Sequence, residues 1–92
     1  MKHTYVYILA DAGHHICGTQ IADDGFLEKI KAITCGRYHL VWFEFHETLK
    51  SAEVRQAALQ TWDTHWQEQL IDEFNPLWQD LSMRLIHEQK FI

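Results

Sequence analysis

The sequence predicts an α+β domain, a three-stranded antiparallel sheet with helices packed on it in the order β-β-α-β-α-α. Three observations carry that prediction. Thr4 to Leu9 alternates bulky and β-branched residues, and Asp11, Ala12 and Gly13 then supply turn chemistry before a second strand-like run, HHICGTQ at 14–20. Tyr38 to Phe45 is the strongest strand signal, apolar at nearly every position and therefore expected at the centre of its sheet. An apolar stripe at helical spacing follows it, and a hairpin, a helix, a third strand and further helices make a layered α+β fold.

Between the second and third strands, Ile21 to Gly25 is a polar turn, and Phe26, Leu27, Ile30 and Ile33 fall at helical spacing until Cys35 and Gly36. After the third strand, Ser51 is the expected N-cap of the longest helix. Val54, Ala57, Ala58, Leu59, Trp62, Trp66, Leu70 and Ile71 form its stripe. Thr61 to Thr64 interrupts the high-propensity run and predicts two helices with a bend. Asn75 followed by Pro76 is a further start signal, with Trp78, Leu81 and Leu85 facing the core. Residues 86–92 carry no pattern.

Ninety-two residues suit one domain, expected over 1–92, and 47% apolar content with four tryptophans argues for a packed chain. The longest apolar runs are strand-sized, so no membrane span is expected, and the N-terminus lacks the regions of a signal peptide. A cytoplasmic location is the expectation, with Cys17 and Cys35 reduced. Eight basic residues against thirteen acidic give a net charge of −5, which disfavours nucleic acid at long range.

The runs YVYILA, ICG, LVWFEFHE and VRQAALQTW through LIDEFNPLWQDLS resemble the GIY-YIG nuclease superfamily, its small single-domain bacterial members above all, over about residues 4–82. The most specific part is the NPLWQDL block preceded by a tryptophan. The resemblance implies a GIY-YIG endonuclease-like fold and a site of four groups: a tyrosine on each of two strands, an arginine on the first helix, and a glutamate on a later helix that holds a divalent metal. Phosphodiester hydrolysis needs that set because it requires a positioned nucleophile, a Lewis acid and charge around the pentacoordinate phosphorus.

Carried over residue by residue, the resemblance puts Tyr7 at the first tyrosine and keeps the motif glycine as Gly18. The second tyrosine position holds Ile16, the arginine position Ile30 and the glutamate position Gln56. Lys29 and Lys31 flank Ile30 but point about 100° away on a helix. An amide is a poor magnesium ligand. The family's histidine near the first helix has no counterpart, because the stretch before the third strand is shorter here. Trp62, Asn75, Pro76, Trp78 and Leu81 match as scaffold positions.

The expectation is a degenerate GIY-YIG-like domain, not a competent nuclease, that serves as a binding or protein-interaction module. No cofactor is expected. A one-residue register error brings Glu53 or Arg55 nearer the expected positions, and the alternative is a metal-dependent endonuclease, using Mg or Mn, rebuilt around Tyr7, Glu53, Arg55 and His15. The partner side stays open between an unknown protein and self-association through the tryptophan-rich helix or an edge strand. Plainer readings also hold: Tyr5 and Tyr7 as a half-buried aromatic ladder, Trp62 and Trp66 as core, and Gln56 and Arg55 as solvated. No metal site is expected at HHICG, since adjacent strand histidines face opposite ways and His15 with Cys17 supplies only two ligands.

Overall fold

The computed structural model describes residues 4–22 and 38–84. They form β1 (Thr4–Asp11), β2 (Ile16–Ala22), β3 (Tyr38–His46), α1 (Leu49–Thr61) and α2 (Thr64–Phe74). The strands make one antiparallel sheet in the order β2-β1-β3, with α1 and α2 against it, so the chain is α+β. The helix expected around Phe26 to Ile33, and with it Ile30, lies outside the described residues.

β1 is the central strand, and β3, expected there, is an edge strand among the described residues. The apolar run of β3 reflects burial on both faces, not a neighbour on each side. Leu40 to Phe43 are all buried, Val41 and Trp42 in the cluster on one face and Leu40 and Phe43 in the cluster on the other. Val6, Ile8 and Ala10 of β1 pack with Trp42, Ala52, Leu59 and Ile71 on the helical face, while Tyr5 and Tyr7 pack with Leu40, Phe43 and Leu81 on the other. The tyrosines are thus buried, not half-buried.

Two β-bulges sit beside each other along β1. The β1–β3 register slips between Ile8 and Leu9, and the β1–β2 register slips between Leu9 and Ala10, which leaves Cys17 as the extra residue. Gly18 next to it has φ +138°, a backbone geometry that strains any residue with a Cβ. HHICGTQ is therefore only partly strand. His14 sits in the left-handed region at φ 63° in the hairpin turn, and β2 begins at Ile16.

The bend between the last two helices is present, with Asp63 capping α2 through His65 N–H. The cap of α1 is Thr48, not Ser51: the Ser51 N–H donates to Thr48 Oγ1 at 3.1 Å, as the third helical residue does to a capping side chain. Helix phase also differs from expectation. Ala52 and Leu59 are buried, Arg55, Gln56 and Trp62 half-buried, and Val54, Ala57, Ala58 and Trp66 exposed. The sheet lies under the side of α1 that carries Arg55 and Gln56, because their side chains find polar partners there.

Asn75 and Pro76 do not start a helix. Asn75 is the C-cap of α2, Trp78 turns the chain at φ 53°, and helical residues resume only at Ser82. The segment wraps the outer edge of β3. Asn75 Nδ2 donates to Val41 O at 3.2 Å, Leu81 N–H donates to Leu40 O at 2.8 Å, and Leu40 N–H donates to Asp80 Oδ1 at 3.1 Å. Phe74 packs edge-on against both Trp42 and Phe43, whose side chains lie on opposite faces, so it sits across the edge itself. Trp78 then enters the helical-face cluster and Leu81 the other. The NPLWQDL block is an edge clamp that covers an otherwise open pairing template.

Candidate functional site

Tyr7 pairs with Gln20 and Phe43 and belongs to the face of the sheet away from α1. Burial pushes its phenol up from the ordinary value, which makes it a weaker route to a phenolate at neutral pH. Ile16 pairs with Ala10 and packs against the helical-face cluster. Gln56 is also on that side, and its Nε2 donates to Thr19 O at 3.1 Å, joining α1 to β2. Thr19 Oγ1 beside it is buried with no hydrogen-bond partner among the described residues. The sheet therefore separates Tyr7 from Ile16 and Gln56, while Gly18 sits within β2 beside the bulged Cys17.

The residues of the rebuilt-site alternative are dispersed in the same way. Glu53 is exposed on α1. His15 is exposed at the hairpin tip, its Nδ1 3.2 Å from each oxygen of Asp11. Arg55 is engaged elsewhere: its Nε donates to Glu44 Oε1 at 3.1 Å, and its guanidinium lies 5.8 Å from the Trp42 ring centroid and 5.7 Å from that of Trp62. The structure brings none of these three to Tyr7's face.

What it does assemble is a network that the sequence reading passed over. Glu44 Oε1 also meets His46 Nε2 at 2.7 Å, and His46 Nδ1 lies 3.0 Å from Ser51 Oγ. The signal was available in strand alternation, since Glu44 and His46 share a face and Glu44 sits opposite Val6 on the helical side. With one imidazole and one guanidinium both bonded to one carboxylate oxygen, the network ties β3 to α1. Among the described residues no three of His, Cys, Asp and Glu gather as metal ligands would.

Two further clefts flank the hairpin tip. One of about 380 Å³ is lined by His14 to Gly18 together with Thr64, Gln67 and Glu68, and the other, of similar volume, by Asp11, His14, His39, Trp78 and Asp80 among others. His14 stacks on Trp78 between them, ring centroids 4.8 Å apart and planes 14° from parallel. Cys17 opens toward the first cleft, and partial burial with the nearby Asp11 charge pushes its thiol up, away from the reactive thiolate. The carboxylates here are used internally: Asp11 Oδ1 accepts from Gly13 and His15 N–H, and Asp80 from Leu40 and Ser82.

No family model, no curated protein and no solved structure matches the chain. No helix among the described residues is long and apolar enough to cross a membrane.

Proposed function

We propose that the chain is a binding module on a GIY-YIG-like scaffold and not a competent nuclease. The observation that supports this reading best is the Gln56 side chain. At the position where the resemblance places a metal carboxylate, its amide is committed to the Thr19 carbonyl and cross-links α1 to β2. A carboxylate there would meet that carbonyl with like partial charge, so amide and backbone suit each other in a structural role. Three further points agree with it. Ile16 packs into the apolar cluster, Tyr7 is buried on the opposite face with a raised phenol, and Arg55 is bound to Glu44.

The test is direct. Purified protein incubated with plasmid and with branched DNA, in magnesium and in manganese, is expected to leave both substrates intact. Cleavage that vanishes in Tyr7→Phe overturns the reading in favour of the metal-dependent endonuclease.

A further inference from the structure

The elbow between α1 and α2 holds a cleft of about 400 Å³ lined by Thr61, Trp62, Asp63 and Trp66. Trp66 is 57% exposed and lines this cleft, so its indole is open to a ligand there. Trp62 has the Arg55 guanidinium 5.7 Å from its ring centroid and also lines the cleft. Indole rings attract cations through their faces, and a carboxylate beside them adds a counter-charge. Asp63 supplies it: Oδ1 caps α2 by accepting from His65 N–H, and no bond to Oδ2 is formed among the described residues.

The charge lining the cleft has the same sign. Asp63 is the charged residue among those lining it, and the two helices that form the elbow, residues 49–74, carry five acids against Lys50 and Arg55, the latter already paired with Glu44. The N-terminus of α2 would by itself favour an anion, but the Asp63 carboxylate occupies it, and Asp63 O takes the next two amide protons, from Trp66 and Gln67. The last carbonyls of α1 are taken internally as well, Leu59 O and Trp62 O accepting from Gln67 Nε2.

We propose that this notch docks a lysine side chain from a basic segment of a partner protein, its ammonium held by Trp62, Trp66 and Asp63. The proposal rests on the binding-module reading and gives that module a partner chemistry. Calorimetric titration of the full chain at low salt tests it with a glycine-spaced lysine peptide, the same peptide with every lysine acetylated, and a glutamate peptide of equal length. The lysine peptide is expected to bind and the other two are not. Trp66→Ala should weaken binding about threefold to thirtyfold. Asp63→Asn, which keeps a capping side chain while removing the charge, should weaken it about twofold to fivefold.

Absence of binding at about 1 mM lysine peptide overturns the proposal. So does binding that both variants leave unchanged, which would make the attraction a general effect of net charge, or equal binding of the acetylated or glutamate peptide. DNA cleavage in the nuclease assay would remove the binding-module reading whatever the peptide result. Failure of the peptide alone removes the notch and leaves that reading standing.

Discussion

Trp78 and Trp66 are both aromatic residues of the helical half of the chain, and their surroundings are opposite. Trp78 is 7% exposed, stacks on His14, and its Nε1 donates to Asp72 Oδ1 at 2.6 Å. Trp66 is 57% exposed, and neighbouring His65 approaches its ring edge-on. The first joins three parts of the fold, namely the hairpin tip, α2 and the clamp. The second joins nothing in the described chain. Aromatic residue type alone therefore does not distinguish a structural tryptophan from an exposed one; the polar partner for the indole N–H and the stacked ring do.

The largest expected effect tests that contrast. Trp78→Ala should destabilise the protein by about 3–5 kcal/mol, as large-to-small changes at buried aromatics do. For a domain of this size that is a large share of the whole, and a folded baseline in urea should shorten or vanish. Trp66→Ala should move stability by no more than about 0.5 kcal/mol. Equal urea midpoints for the two variants would break the comparison, and a destabilised Trp66→Ala would return that residue to the core.

The clamp itself comes next. Asn75 satisfies Val41 O and Gln79 O through Nδ2, and its Oδ1 accepts from Gln79 N–H. Removing the side chain in Asn75→Ala leaves these groups without those bonds and should cost about 1–3 kcal/mol. Hydrogen exchange gives the sharper readout. The Leu40 and Leu81 amides, which close the β3 edge, should exchange faster in the variant, while amides of the β1–β2 ladder around Ile8 and Thr19 should keep their protection. Uniform acceleration across both ladders would mean that Asn75 supports global stability only and that the clamp is not a separate unit.

The same contrast explains what was legible in the sequence. Strand alternation and turn residues were enough for the hairpin, and the low-propensity break at Thr61 to Thr64 was enough for two helices, because these are local signals. The β3 run was legible as a strand but not as an edge, since burial on both faces leaves the same apolar pattern whether the outer backbone groups meet a strand or a clamp. Asn75-Pro76 misled for a related reason. Both residues suit a helix start, yet Asn75 spends its amide on Val41, a partner distant in sequence that local pattern does not reveal. At the candidate site, the resemblance alone singled out Ile16 and Gln56. Their structural employment, and the Glu44–His46–Arg55 network, became visible only when α1 was placed on the sheet. The phase of α1 is the physical cause: Ala52 and Leu59 are buried against the sheet, which brings the flanking Arg55 and Gln56 to a carboxylate and a carbonyl, whereas Val54 and Ala58 stay in water.

The smallest expected effect lies at the hairpin tip that presents His14 to Trp78. The backbone N–H of His15, with that of Gly13 and the His15 ring adding to it, holds the Asp11 carboxyl below its ordinary value of 3.8 against a smaller effect of desolvation. A carboxyl whose folded value is depressed contributes its stabilisation above the ordinary value and loses it as pH falls through the lowered one. The tip should accordingly be intact at neutral pH and loosen only in acid, below about 3.8. In an NMR titration the Gly13 and His15 amides should shift in that acid window, and Asp11→Asn should abolish the step while keeping an acceptor for both N–H groups. The Asn75 side-chain amide, neutral and buried at the other end of the Trp78 turn, should stay still through the same window. Movement of the two together would mean that hairpin and clamp open as one unit, with the His14–Trp78 stack as the coupling between them.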